Sequence, residues 1–128
     1  MKSLLKVTRK AELGLLLVSE LALHPGELVS LEMVSKKTGA SRKFLEEVAG
    51  ELRRAKIVEG LRGAAGGYRL TRDPKALTVA EVLTAVEGPM EIDACTAHAH
   101  EHAELGIITK VQGQVMATLM NTTVADLA

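Results

Sequence analysis

The sequence predicts a mainly α-helical fold that carries one small β-hairpin. The chain of 128 residues is 47% hydrophobic but only 2% aromatic, so its core must be built from aliphatic side chains. Such a composition favours helices over a β-sandwich. Apolar residues also recur at steps of three and four in several stretches, as on one face of a helix. A glycine-rich run at residues 60–67 separates two short strand-like segments and indicates a hairpin.

Two helices are predicted before residue 40. Thr8 can cap a helix that runs to about His24 and stops at the Pro-Gly pair that follows. Ser30 can cap a short helix over 31–38, which ends at Gly39. Since only a short link separates Gly39 from the next capping serine, the second and third helices are predicted to form a helix-turn-helix pair.

The third helix takes the recognition position of this pair. Ser41 is its predicted N-cap, and an apolar stripe along it lies opposite a charged face. Arg42 and Lys43 in the first turn can point at base edges and phosphates. An ordinary amphipathic helix with a solvated basic end is the alternative for this segment alone.

A hairpin with a basic tip follows the third helix directly. Ile57 and Val58 are predicted to begin its first strand, and residues 68–70 are predicted to form the return strand. Glycines at 60, 63, 66 and 67 supply the loop, and Arg62 at its tip can reach a neighbouring groove of DNA. The predicted architecture is therefore a winged helix-turn-helix.

The second half of the chain predicts a capped helix, a distinct segment and a long helix. Thr78 and Glu81 have capping-box spacing, and the segment 90–106 holds the only cysteine and three of the four histidines. The helix predicted over 107–120 has an apolar face wide enough to pack on a second copy of the chain. The alternative is that it packs on the N-terminal part of its own chain. The predicted dimer-interface residues are Ile108, Val111, Val115 and Leu119.

Charge is segregated along a chain of net charge zero. Residues 1–75 hold 15 Lys/Arg against 9 Asp/Glu, a net of +6, whereas residues 76–128 hold 1 against 7, a net of −6. This pattern predicts a DNA-binding part over 1–75 and an assembly or effector part over 76–128. A single cysteine excludes an internal disulfide, and no apolar run approaches a membrane span, so a cytoplasmic location is expected.

Taken together, the motifs resemble the IscR-like family of bacterial winged-helix transcription regulators, also called the Rrf2 family. The resemblance covers nearly the whole chain. Its motifs are TRKAELGLLLVSELA (Thr8–Ala22), FLE (Phe44–Glu46), RGAAGGY (Arg62–Tyr68) and TVAEVLTAVEG (Thr78–Gly88).

The resemblance implies a homodimer that binds a pseudo-palindromic operator in double-stranded DNA. The recognition helix is expected in the major groove and the wing arginine in the minor groove. Glu46 could accept a hydrogen bond from a cytosine amino group, and Arg62 would enter a narrowed minor groove. The implied DNA-contacting residues are Ser41, Arg42, Lys43, Glu46, Arg62 and Gly63.

The sequence departs from the family in the segment where many members hold an iron-sulfur cluster on three cysteines. Cys95 matches the first cysteine, and His98, His100 and His102 lie where the remaining ligands would fall. A thiolate with several imidazoles can bind a transition metal, or a cluster with mixed ligands, and Glu12 is a further candidate ligand from the other subunit. The alternatives are a segment that binds nothing and a thiol that senses oxidation.

We therefore expect a DNA-binding regulator, a dimeric repressor whose operator affinity responds to a cluster, metal or redox signal at Cys95. A regulator without a cofactor and a small metal-binding protein are the rival interpretations. An enzyme is not expected, because the glycine motif lies in a strand-to-strand turn rather than before a helix.

Overall fold

The computed structural model describes residues 8–63, 66–88 and 105–127 of the chain. Within these ranges helices dominate and the strands pair as one antiparallel hairpin, which confirms the predicted fold class. In chain order the elements are α1 (Arg9–Ala22), α2 (Leu31–Thr38), α3 (Arg42–Arg54), β1 (Val58–Leu61), β2 (Gly67–Leu70), a 3-10 turn (Pro74–Ala76), α4 (Val79–Glu87), α5 (Leu105–Asn121) and α6 (Val124–Leu127).

The first three helices begin at the predicted caps. The side-chain oxygens of Thr8, Ser30 and Ser41 each accept a hydrogen bond from the backbone N–H three residues on, at 3.1, 3.1 and 3.4 Å. These bonds satisfy donors that have no partner within the helix. α1 ends at Ala22, two residues before the predicted end, because the next two N–H groups bond to carbonyls three residues back and tighten the chain into a turn.

The hairpin is slightly longer than predicted and begins one residue later. Val58 pairs with Leu70 and Leu61 with Gly67, so both strands extend into the glycine run. Ile57, predicted as the first strand residue, instead donates its N–H to the last turn of α3 at 3.0 Å and closes that helix.

The core is aliphatic and centres on α1, which contacts α3, α4, α6 and β2. Leu17, Leu45 and Leu52 are fully buried. Burial of one such side chain contributes about 1.5–3 kcal/mol. Phe44 and Tyr68 pack at the edge of this core and are only partly buried. The sequence therefore correctly predicts a core that does not depend on aromatic rings.

The last residues of the chain pack back against its N-terminal part. The N–H of Val79 donates to the carbonyl of Thr122 at 2.8 Å, and the N–H of Val124 donates to the carbonyl of Leu77 at 2.8 Å. Val124 is fully buried, and α6 packs against α1. The folded unit that carries the hairpin, which we call the head, thus includes chain from beyond residue 75. The predicted division at residue 75 into a DNA-binding part and an assembly or effector part stays a prediction.

α4 and α5 form as predicted, with small differences in length. Thr78 and Glu81 exchange the two hydrogen bonds of a capping box, at 3.2 and 3.3 Å. α5 extends one or two residues beyond the predicted range of 107–120 at each end. No helix in the described part of the chain is long and apolar enough to cross a membrane.

Candidate nucleic-acid interface

The turn between α2 and α3 is held by short-range hydrogen bonds. Gly39 ends α2 in the left-handed region, with φ of 78°, which glycine adopts without steric cost. The hydroxyl of Ser35 donates to the carbonyl of Ala40 at 2.6 Å, and Ala40 is buried. This anchored turn fixes the direction in which α3 leaves α2.

α3 buries one face and exposes the residues predicted to contact DNA. Leu45, Val48, Ala49 and Leu52 face the core. Lys10 on α1 pairs with the partly buried carboxylate of Glu51 on α3, and this hydrogen bond raises the pKa of Lys10. Because these contacts hold the inner face of the helix, its outer face is free for another partner. The exposed predicted residues are Ser41, Arg42, Lys43 and Glu46.

Ion pairs connect the start of α3 to α2. The guanidinium of Arg42 lies 3.5 Å from the carboxylate of Glu46 and 4.0 Å from that of Glu32, and Glu32 also lies 3.4 Å from the ammonium of Lys36. All four side chains are more than half exposed. Exposed pairs of this kind are worth about 0–1 kcal/mol, so a phosphate or a base can displace them at low cost.

The wing is fastened to the start of α2 by two backbone hydrogen bonds. Val29 donates to the carbonyl of Tyr68 at 2.9 Å, and Tyr68 donates to the carbonyl of Val29 at 2.8 Å. Gly67 makes this approach possible, because a Cβ atom there would lie 2.5 Å from the carbonyl oxygen of Val29. The hairpin therefore leaves the head at a fixed angle and carries Arg62 and Gly63 as exposed residues.

A cleft runs between the wing and the starts of α2 and α3, and we call it the wing cleft. It brings together four of the six predicted DNA-contacting residues, Arg42, Glu46, Arg62 and Gly63. Ser41 and Lys43 are exposed neighbours of Arg42 in the chain, but they do not line the cleft. The lining residues are Ser30, Leu31, Glu32, Arg42, Glu46, Leu61, Arg62, Gly63, Gly66, Gly67 and Tyr68.

Glu32 belongs to this site although the sequence did not single it out. It is an acidic residue in the first turn of α2, where the helix dipole favours negative charge. The available signal was local, since Glu32 reads as an ordinary helix-start residue with an i,i+4 partner in Lys36. Its contact with Arg42 on the next helix depends on the tertiary packing.

Of the predicted metal ligands, only Glu12 lies within the described residues. Glu12 lies exposed on α1 and pairs with Arg9 at 3.4 Å. Cys95, His98, His100 and His102 lie outside the described residues. Among the residues that the structure describes, no group of three or more His, Cys, Asp or Glu side chains could hold a metal ion.

The predicted dimer face lies along α5 and is only partly covered by the chain itself. Val111 is exposed and Val115 is half-buried, whereas Leu119 packs against the core of its own head. The side chain of Ile108 lies outside the described part of the structure. The first half of α5 thus leaves apolar surface open, and the second half helps to cover the head.

A helix-turn-helix with an exposed recognition helix and an adjoining β-wing defines this chain as a winged helix-turn-helix protein. It belongs to the Rrf2 family, described as iron-dependent transcriptional regulators, whose sequence profile matches residues 7–128. The family predicted from the sequence motifs is therefore confirmed.

Known relatives support this assignment over most of the chain. CymR of Bacillus subtilis is 32% identical over 125 residues, which are 97% of this chain and 90% of CymR. The solved structure of CymR, the global cysteine regulator of B. subtilis, superposes with a TM-score of 0.80 over 98% of this chain and 97% of CymR, at 31% identity.

IscR proteins are similar over less of their own length. IscR of Cereibacter sphaeroides is 40% identical over 65% of this chain, but this match spans only 56% of that protein. The structure of T. potens IscR superposes with a TM-score of 0.80 at 31% identity, over 96% of this chain and 85% of that chain. These relatives are transcriptional regulators and not enzymes, in agreement with the predicted class.

Proposed function

We propose that this transcriptional regulator is a dimeric repressor that binds a pseudo-palindromic operator in double-stranded DNA. The observation that carries the proposal is the wing cleft, in which Arg42 and Glu46 of α3 lie beside Arg62 and Gly63 of the wing. A single surface can thus engage a major groove and the adjoining minor groove of one duplex.

Each residue has a distinct proposed role. Arg42 and Lys43 would bind phosphates or base edges from the first turn of α3, where both side chains are exposed. Glu46 would accept from a cytosine amino group and so contribute discrimination rather than affinity. Arg62, with Gly63 beside it, would enter a narrowed minor groove, where the negative potential is deepest.

The distribution of charge supports this orientation on DNA. The first 75 residues carry a net charge of +6 and the remainder −6, so residues 1–75 are attracted to the polyanion and residues 76–128 are repelled. We propose residues 1–75 as the DNA-binding part and 76–128 as the effector and assembly part. A repressor of this kind would act in the cytoplasm.

Replacement of Arg62 by alanine tests the DNA-binding proposal. The Arg62→Ala variant should bind operator DNA more weakly by about 1–3 kcal/mol, or roughly 5- to 150-fold, because it loses a minor-groove contact. The measurement is a fluorescence-anisotropy titration with a duplex that the wild-type protein selects from a randomised pool. Arg53→Ala is the matched control, since it removes the same charge from an exposed site at the opposite end of α3. Equal affinities of the two variants would refute the assigned role.

A dimer is proposed because one head reads only one half of a palindrome. The residues proposed for its interface lie on α5 and are Ile108, Val111, Val115 and Leu119, of which Leu119 also packs against the core of its own chain. Both half-sites are read together only if the two recognition helices lie about one turn of DNA apart, roughly 34–36 Å. A displacement of a few ångström at the base of the dimer helices would therefore weaken operator binding.

We further propose that the Cys95 segment senses a transition metal or an iron-sulfur cluster. Cys95 supplies a thiolate, and His98, His100 and His102 supply imidazoles, all within eight residues. One thiolate per chain does not match a three-cysteine site. The donor set instead fits a single metal ion or a cluster with mixed ligands, and Glu12 of a second subunit is a further candidate ligand.

Anaerobic purification followed by metal analysis and an absorption spectrum tests the sensing proposal. The wild-type protein should retain metal or iron with sulfide, Cys95→Ser should lose most of it, and chelation should change operator affinity. A wild-type protein that retains no metal, with operator affinity unchanged by chelation, would favour the rival regulator without a cofactor. Unchanged metal content in Cys95→Ser would exclude Cys95 as a ligand. Arg62→Ala separates the other rival, because a metal-binding protein that does not use DNA would be indifferent to that change.

A further inference from the structure

Glu32 is an exposed carboxylate inside the proposed DNA-binding surface. It lies in the first turn of α2 and lines the wing cleft together with Arg42 and Glu46. A carboxylate in this position repels the phosphates of a duplex, so it lowers general affinity for DNA. Such a residue either only lowers the affinity for DNA or also helps the protein to discriminate between DNA sequences.

Two carboxylates lie beside the guanidinium of Arg42. Its Nε lies 3.5 Å from Oε1 of Glu46, one turn further along the same helix, and its terminal nitrogen Nη1 lies 4.0 Å from Oε2 of Glu32 on the neighbouring helix. The guanidinium group is planar and presents its donors in a rigid fork. At these distances the two carboxylates attract the guanidinium and favour its position beside the wing cleft.

We infer that Glu32 is a specificity-determining positioning residue, which directs Arg42 toward base edges and withholds it from phosphates. The inference rests on the proposed DNA-binding function. A phosphate that recruits Arg42 must remain beside the like charge of Glu32. A base edge carries no net charge, so it accepts a hydrogen bond from the guanidinium without that repulsion. Glu32 thus weakens binding to arbitrary sequences more than binding to the operator.

The Glu32→Gln variant is suited to test this inference. Glutamine keeps the size of the side chain and removes its charge, and exposed ion pairs contribute little to folding stability. Glu27→Gln is the matched control, because Glu27 is an exposed carboxylate in the turn before α2 that pairs with His24 at 3.6 Å and does not line the wing cleft. Both changes alter the net charge equally.

Affinity is measured for two duplexes over a range of salt concentrations. One duplex is selected by the wild-type protein from a randomised pool, and the other has the same composition in shuffled order. Glu32→Gln should bind the shuffled duplex about fivefold more tightly, and its log-log salt slope should steepen by about 0.9, the value for one added phosphate contact. Affinity for the selected duplex should change less, so the specificity ratio falls, whereas Glu27→Gln should keep the wild-type ratio.

Repeating the Glu32→Gln change in an Arg42→Ala protein shows whether Glu32 acts through Arg42 or through its charge alone. In an Arg42→Ala protein, Glu32→Gln should no longer tighten binding to the shuffled duplex. An undiminished effect would assign it to bulk charge or to the released Lys36, and would overturn the inference. Equal ratios for Glu32→Gln and Glu27→Gln would also overturn it while leaving DNA binding intact. If the wild-type protein selects no duplex, the proposed function fails, and this inference fails with it.

Discussion

Lys56 occupies a backbone conformation that normally belongs to glycine. Its φ is 63°, and no other non-glycine residue in the described ranges has a positive φ. The N–H of Lys56 donates to Arg53 at 2.9 Å and the N–H of Ile57 donates to Leu52 at 3.0 Å, which is the Schellman pattern that ends a helix. This conformation therefore costs about 1–2 kcal/mol of steric strain, because the Cβ of Lys56 lies close to the backbone in it.

Glycine at position 56 should relieve this strain. We expect Lys56→Gly to raise the free energy of unfolding by about 0.5–1 kcal/mol, because the gain exceeds the entropy that glycine adds to the unfolded chain. Urea denaturation followed by circular dichroism measures the change. Lys56→Ala is the control, since it removes the charge and keeps the strained Cβ. Equal stability of the two variants would contradict the explanation.

Among the elements, α4 shows how a local motif is tied to a distant part of the chain. Glu81 completes the capping box with Thr78, and its other carboxylate oxygen lies 2.6 Å from the guanidinium of Arg72, which follows the wing. Partial burial acts to raise the pKa of Glu81, but the hydrogen bonds from Arg72 and Thr78 outweigh it, and the pKa lies below its usual value of 4.5.

This lowered pKa predicts a dependence of stability on pH. A carboxylate whose pKa is lower in the folded protein stabilises it fully above the unfolded pKa, and this contribution is lost as the pH falls through the folded pKa. Glu81→Gln should therefore flatten the decline in unfolding free energy below about pH 4.5. Urea denaturation at several pH values from about 2.5 to 7 measures the unfolding free energy. Arg72→Gln should flatten its dependence on pH in the same way. A Glu81→Gln profile parallel to that of the wild type would disprove the linkage.

At the scale of the whole molecule, α5 has two halves with different surroundings. In the second half Met116 and Met120 line a groove against α4, where Met120 stays 59% exposed, and Leu119 packs on the core. Ile107 and Val111, nearer the start of the helix, are 64% and 45% exposed. Exposed aliphatic side chains grouped on one helix are typical of a surface that meets another chain. The two packings predicted for α5 thus concern different parts of the helix. Its second half packs on its own chain, and its first half leaves a surface that a second copy could cover.

A charge within this exposed part should separate the proposed dimer. Val111→Glu is expected to raise the dimer dissociation constant at least about 100-fold, because each of two symmetric copies would bury a carboxylate in place of a valine worth about 1.5–3 kcal/mol. Sedimentation equilibrium measures the association, and circular dichroism verifies the fold. Ala117→Glu, an exposed position on the opposite side of α5, should remain dimeric. A Val111→Glu protein that stays dimeric would exclude this face from the interface.

The parts that could be predicted are those decided by neighbours in the chain. Helix starts at Thr8, Ser30, Ser41 and Thr78 depend on a hydroxyl and an N–H three residues away, so they can be read directly from residue order. The wing was predicted from its glycines, yet its start was one residue early, because the hydrogen bond that retains Ile57 in the end of α3 competes with strand pairing.

Residue order by itself determined the fold class, the helix starts and the family, because periodic apolar patterns, caps and motifs are all local. The DNA-contacting set that the family resemblance implies stays a prediction. Only the tertiary structure decided that the wing is fastened through Val29, that Glu32 lies beside Arg42 and that Leu119 packs against its own core. These contacts join residues that are far apart in the chain or lie on different helices. Their formation depends on how whole helices pack, and no spacing in the sequence encodes that arrangement directly.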